Sequence, residues 1–528
     1  MERGPYWVKR SSETWKTHNC LNRTIFLYKM LNNIKVATKD TFVYSLGNIS
    51  TKIIGLVLLP LYTEKLSVAE YGVLGTVEIT IQVLAAAFSL SLYQALNRWY
   101  WDKEYRSRQK SIFFTVLIST LTGAILLILF FIPFASHFSK FILGSVQYSY
   151  LFCLLLIDAS FQIIARLFLT LMRLERKPIL FTSTNIIKLI ITLGLTIYFV
   201  AYLKRGVEGI IEAQIIGFVA FMLVNIRYIG RKITPVFEFS VLKQMIRFSS
   251  PLMISTVFTV LLSVTDRFTL RYMEGLSEMG LYNLGFKVAN VLRIFVISSI
   301  MSGLLPIRFK MMDQPNNKRF YSKTMTYTTY GFLILLLGLS LFSKEVIRFL
   351  AKDPAYWEAY KVVPILCFAQ LFELLRQNSR FGLIVKKKTK IISSILIVIA
   401  ILNLSINFLL VSLFGSYGAA TASLVSQIGF FVLIHYYAQK YYPIPYEMKK
   451  IGIMVGVSVL LVIATFTGVD GMTLLPRVII KILFILAFPI LLYFLNFYEQ
   501  IELLRLRQSW QKWKNPRYWG ENLRNMRF

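Results

Sequence analysis

About fourteen apolar runs, each about 20 residues long, follow one another along the chain from Phe42 to Phe494. About 20 residues is the length a helix needs to cross the hydrocarbon core of a bilayer. The first run, at 42–62, carries Ile53-Ile-Gly-Leu-Val-Leu-Leu-Pro-Leu-Tyr62, and the last lies at 474–495. So many runs of this length cannot all be buried in a water-soluble core. The pattern predicts an all-α polytopic membrane protein with about 14 transmembrane helices. The connections are short, with no room for an inserted soluble domain; the longest outer one lies around Ser343–Tyr360.

The composition agrees, with 56% apolar and 16% charged residues. A net charge of +33 would suggest nucleic acid in a soluble chain. Here the cations collect in every second loop, so the reading is no nucleic acid but the positive-inside rule. About 25 Lys and Arg fall in one set of loops, such as Arg98–Lys110, Arg173–Lys177 and Lys386–Lys390, against about nine in the other set. This asymmetry places both termini in the cytoplasm and implies an even number of spans. The tail from Arg505 mixes Trp510, Trp513 and Trp519 with Lys and Arg, the pattern of an amphipathic segment on an anionic leaflet. Membrane lipids are therefore expected partners.

Residues 1–29 are polar and aromatic, without the apolar stretch of a signal peptide. Met30 reads as a natural start, which makes Met1–Tyr28 an upstream extension. The segments expected along the chain are a basic cytoplasmic segment (1–40), a first lobe of six spans (41–229) and a cytoplasmic linker (230–247). A second lobe of six spans (248–439), two further spans (450–495) and a basic tail (496–528) follow.

A weak internal repeat supports two lobes. Leu66-Ser-Val-Ala-Glu-Tyr-Gly-Val-Leu-Gly75 leads into the second span, and Leu276-Ser-Glu-Met-Gly-Leu-Tyr-Asn-Leu-Gly285 leads into the eighth. Gly72 then aligns with Gly280, an offset of 208 residues. Ser67 and Glu70 have the spacing of a capping box. An offset of six spans implies parallel repeats related by an axis along the membrane normal.

Leu58-Leu-Pro-Leu-Tyr-Thr-Glu-Lys-Leu-Ser-Val-Ala-Glu-Tyr-Gly-Val-Leu-Gly75 resembles the opening of the polysaccharide-transporter branch of the multidrug/oligosaccharidyl-lipid/polysaccharide exporter superfamily. Such proteins begin with a polar span, then Leu-Pro-Leu-Tyr-Thr, then Leu-Ser-x-x-Glu-Tyr-Gly. With the span count and the six-plus-six arrangement, the resemblance covers most of residues 41–439. It implies two six-helix lobes in a V-shaped, alternating-access arrangement, with two extra C-terminal helices. It implies a flippase for a polyprenyl-diphosphate-linked oligosaccharide in the inner (cytoplasmic) membrane, serving O-antigen, capsule or exopolysaccharide assembly. A polysaccharide polymerase and chain-length machinery are the protein partners it implies.

Charge inside the spans gives the candidate site. A charged side chain at mid-bilayer costs roughly 2.5–3.5 kcal/mol on insertion scales, so it is normally turned toward a cavity or a partner. The cations are Lys52, Arg166, Lys188, Arg267, Lys287, Arg293 and Arg376. The acids are Glu78, Asp158, Glu212, Asp266 and Glu373. Asn48 lies one turn from Lys52, and Asp158, Gln162 and Arg166 form a stripe at i, i+4, i+8. The cationic excess suits an anionic substrate, and guanidinium groups bind phosphate oxygens bidentately. The seven cations are therefore the candidate substrate-binding set. Asn48, Glu78, Asp158, Gln162 and Glu373 are candidates for polar lining or coupling. Arg267 and Lys287, near the outer interface, have a second reading as side chains that snorkel to headgroups. Arg380, near the inner end, reads as an anchor.

Two other functions compete. A cation-coupled multidrug exporter of the same superfamily needs acids to hold cations, and Asp158 and Glu78 keep that reading open. A polytopic enzyme acting on lipid-linked sugars needs a sizeable external loop or an acid pair for proton transfer, and neither stands out. The three cysteines and three histidines are scattered without metal-ligand spacing, so no metal, cofactor or catalytic residue is expected.

Overall fold

A computed structural model of the chain describes residues 55, 57–312, 314–469, 471–500 and 502–504. The expected N-terminal segment, most of the first span with Asn48 and Lys52, and the tail beyond Leu504 lie outside the described residues.

Every regular element among them is helical. The first nine α-helices are α1 (Leu59–Lys65), α2 (Val68–Phe88), α3 (Leu92–Trp99), α4 (Gln109–Phe131), α5 (Ala135–Leu143), α6 (Ser149–Leu174), α7 (Pro178–Ile197), α8 (Gly206–Gly230) and α9 (Phe239–Met273). The others are α10 (Leu276–Val291), α11 (Ser298–Lys310), α12 (Asn317–Leu341), α13 (Ser343–Leu350), α14 (Val363–Ser379), α15 (Phe381–Val385), α16 (Thr389–Tyr441), α17 (Met448–Ala464) and α18 (Leu474–Phe494). Local signals account for several ends. Pro178 opens α7 at a position where a missing N–H costs nothing. The expected capping box forms before α2: Ser67 N donates to Glu70 Oε2 at 2.8 Å, and Glu70 N donates to Ser67 Oγ at 3.3 Å.

Eleven helical segments among the described residues are long and apolar enough to cross a membrane, so length and apolarity alone do not reproduce the expected fourteen. Two features account for much of the difference. The 53 residues of α16 are two helical legs joined at Gly415, whose φ of 52° and ψ of −129° are not helical. Those legs fall where two spans, 390–413 and 417–438, are expected. The tenth expected span, α14, has only 17 residues and carries both Glu373 and Arg376.

The described chain divides into two compact units. Thr80–Thr256 belong to the first, and Leu59–Ile79 with the residues from Val257 onward belong to the second. In the first unit α6 is central, packing against α3, α4, α7 and α8. Its core includes Ile112, Phe113, Phe168, Phe181 and Phe221. At one end of this bundle, Glu175 accepts from Tyr100 Oη at 2.7 Å and Tyr228 Oη at 2.9 Å and pairs with Lys232 at 2.8 Å. Burial would raise the Glu175 carboxyl, but Lys232 and the two tyrosine hydroxyls outweigh it and hold the group below its ordinary range.

In the second unit the two copies of the sequence repeat meet. A Cβ on Gly72 would strike the carbonyl oxygen of Leu276, and a Cβ on Gly280 would strike that of Val68. The same offset of 208 residues relates Gly72 to Gly280 and Val68 to Leu276, so the crossing of α2 and α10 is reciprocal. Only glycine lets the two backbones come this close, which is why the repeat retains one at each position. The crossing is reinforced by Tyr356, whose hydroxyl donates to the carbonyls of Leu66 and Ser67, both at 2.9 Å.

The second unit also contains a buried charge cluster. Lys481 of α18, fully buried, lies 3.0 Å from a carboxylate oxygen of Glu345 in α13, and Arg477 lies 3.7 Å from the other. The last helix, α18, thus brings in two cations, held against a carboxylate from a short neighbouring helix.

Candidate functional site

Each unit contains a polar cavity of its own. The cavity in the first unit has a volume of about 470 Å³. The stripe on α6 builds one wall with Gln162, Arg166 and, two turns after Arg166, Arg173. Tyr93 and Asn97 of α3, Asn185 and Lys188 of α7, and Phe218 of α8 build the rest. The cations rest on aromatic faces. Arg166 Cζ is 5.5 Å from the Tyr93 ring centre, and Lys188 Nζ is 2.9 Å from that of Phe218. Among the described residues no carboxylate lines this cavity. Asp158 is not in the wall; it is fully buried and accepts from Gln162 Nε2 at 2.8 Å, and its Oδ1 has no hydrogen-bond partner among the described residues.

The cavity in the second unit is about 430 Å³ and mixes both signs of charge. Arg293, in a π-helical turn at Leu292–Ile297, meets Glu373 of α14, with Nε 3.3 Å from the carboxylate. Arg376 lies 3.8 Å from the same carboxylate, which also accepts from Gln377 Nε2 at 3.1 Å. The Arg376 guanidinium stacks 4.1 Å from the centre of Phe430. Asp266, on the opposite side of the charge balance, is engaged by Tyr282 Oη at 2.6 Å, Ser423 Oγ at 3.4 Å and Arg267 Nε at 3.6 Å. Gln370, Gln427 and Arg380 complete the polar lining.

The candidate residues thus fall into separate groups. Arg166, Lys188 and Gln162 line the first cavity, with Asp158 beside Gln162. Arg293, Arg376 and Glu373 line the second. Lys287 and Glu78 pair with each other at 2.9 Å and line neither cavity. Arg267 is 5% exposed, donates to the Ser263 carbonyl and lies 4.1 Å from the Phe286 ring centre, so its charge is held within the protein. Asn48 and Lys52 lie outside the described residues. Sequence reasoning missed Arg173 and Arg380 as cavity residues, because each sits near an inner helix end where cations normally anchor. Their helical register was the available signal: Arg173 is seven residues after Arg166, and Arg380 four after Arg376.

Comparison with known proteins agrees with this architecture. Residues 37–312, just over half of the chain, match the family described as "Polysaccharide biosynthesis protein". The Lsg locus putative protein 1 of Haemophilus influenzae is 22% identical over 318 residues, spanning 56% of this chain and 71% of that protein. The lipid II flippase MurJ, solved in an inward closed conformation, has a TM-score of 0.66 and 15% identity, covering 86% of this chain and 99% of its own. An inward-facing multidrug resistance MATE family transporter of the MOP superfamily has a TM-score of 0.58 and 13% identity, covering 75% and 94%. At such identities the structural likeness establishes the fold alone. By its sequence match, the chain belongs to the polysaccharide biosynthesis protein family, on a fold shared with transporters of the MOP superfamily.

Proposed function

We propose that the protein is a flippase, not an enzyme, and that it carries a polyprenyl-diphosphate-linked oligosaccharide across the cytoplasmic membrane for polysaccharide assembly. The observation that carries this reading is the cavity of the first unit, where Arg166, Arg173 and Lys188 converge and, among the described residues, no carboxylate joins the lining. Placing a cation at membrane depth costs roughly 2.5–3.5 kcal/mol on insertion scales. An anionic occupant offsets that cost, whereas a cationic one adds to it. A lipid diphosphate carries about two negative charges, and its oxygens accept the charge-assisted hydrogen bonds that guanidinium and ammonium groups donate. Gln162, Asn97 and Asn185 offer hydrogen bonds in the same wall to groups without charge. A site for cationic drugs would need carboxylates there, which disfavours the multidrug alternative. The loop asymmetry supports both termini in the cytoplasm, and the family match supports partnership with polysaccharide assembly machinery.

Deleting the gene in its native host tests the reading. Polyprenyl-linked repeat units should accumulate on the cytoplasmic leaflet, surface polysaccharide should be lost, and a plasmid copy should restore it. Normal surface polysaccharide without accumulation would contradict the assignment.

A further inference from the structure

We infer that the cavity of the second unit is a glycan subsite for an acidic sugar, one whose ring carries a carboxylate among its hydroxyls. The inference rests on the flippase reading. Its starting point is a set of unmet hydrogen bonds in one wall. Gln370 is 8% exposed, and its Oε1 has no hydrogen-bond partner among the described residues. Gln427 Oε1 and Arg376 Nε are likewise buried without one. Buried polar atoms are normally satisfied, and each exception asks for a missing partner. Two of these atoms accept and one donates, so the missing ligand must supply both donors and acceptors.

That requirement separates the possible anions. An ionised diphosphate offers acceptors only and leaves both glutamine oxygens unmet. A neutral sugar satisfies the glutamines through its hydroxyls but leaves the charge imbalance untouched. Arg293, Arg376 and Arg380 line the cavity, whereas Glu373 is the carboxylate they share and Asp266 is already engaged by Arg267 and Tyr282. Arg293 and Arg376 hold Glu373 at 3.3 and 3.8 Å, long for charge-assisted hydrogen bonds, so donor capacity remains for a second carboxylate. An acidic sugar supplies that carboxylate to the arginines and hydroxyl donors to Gln370 and Gln427.

The test uses the full chain in lipid nanodiscs and isothermal titration with three soluble probes: a galacturonate trisaccharide, the corresponding galactose trisaccharide and inorganic pyrophosphate. The galacturonate trisaccharide should bind at least tenfold more tightly than the neutral one. Arg376→Gln should remove at least tenfold of that affinity and weaken the neutral trisaccharide less, which narrows the preference between the two. Gln370→Leu, which keeps every charge, should weaken both trisaccharides and serves if Arg376→Gln does not fold. Equal binding of the two trisaccharides would overturn the inference, and so would displacement of galacturonate by equimolar pyrophosphate. Loss of galacturonate preference with intact flipping of diphosphate-linked neutral glycans would remove this subsite alone. Preserved preference without any flipping would remove the flippase reading instead.

Discussion

Neutralising Arg166 and Lys188 together should abolish export while the protein remains inserted and abundant. Both side chains line the first cavity, and among the described residues neither forms an ion pair. Asp158, buried behind Gln162, is the one carboxylate among the described residues that acts on Lys188, and it lies outside the cavity wall, so both cations still face a ligand there. A hydrogen bond to a charged group contributes about 1.5–3 kcal/mol. Losing two of them from a bound diphosphate should weaken binding by two to four orders of magnitude, at about 1.4 kcal/mol for each factor of ten. Arg166→Gln should cost folding little, whereas Lys188→Gln also takes a cation from the buried Asp158, so protein level is the control for the double variant. The double variant Arg166→Gln, Lys188→Gln should accumulate lipid-linked glycan on the cytoplasmic leaflet at normal protein levels. Arg166→Glu should be worse than Arg166→Gln, since repulsion then adds to the lost attraction. Wild-type export by the double variant would remove the role given to these residues.

Glu345→Ala should be among the most destabilising single changes outside the cavities. Lys481 and Arg477 both face Glu345, and all three are largely withdrawn from solvent, with side-chain exposures of 0%, 8% and 20%. Breaking a buried pair by removing one partner costs about 3–5 kcal/mol, because the remaining buried charges lose that partner. Thermal unfolding in detergent should therefore shift strongly downward for Glu345→Ala. Replacing a whole buried ion cluster with apolar residues of similar volume is often neutral, so Glu345→Met with Lys481→Met and Arg477→Met should recover much of the loss. An unchanged unfolding temperature for Glu345→Ala would show that the cluster does not hold α18 against α13.

The all-helical, many-span architecture was legible in the chain because bilayer length is a strong, local signal. The capping box at Ser67–Glu70 and the repeat around Gly72 and Gly280 were legible as well, since each needs particular residues at fixed spacing. The stripe of Gln162 and Arg166 on α6 was readable from helical period alone. What could not be read was which partner each charge meets. Arg293 finds Glu373 across 80 residues of sequence, and Lys481 finds Glu345 across 136, and only tertiary packing decides such encounters. The same holds for Tyr93 and Asn97, which reach the first cavity from a short helix with no apolar run of its own. The span count was obscured for a related reason: the kink at Gly415 and the short, charged α14 depart from the regular length on which hydropathy reading depends.

The central claim is that this chain itself moves a diphosphate-linked glycan across a bilayer. Purified protein in proteoliposomes, with a fluorescent polyprenyl-diphosphate oligosaccharide in both leaflets, measures this directly. The fraction of label that an external glycosidase can reach reports flipping. The account predicts that wild-type protein makes the inner-leaflet pool accessible and that Arg166→Gln, Lys188→Gln leaves it protected. Accessibility equal to that of protein-free liposomes for the wild type, or equal for wild type and double variant, would contradict it.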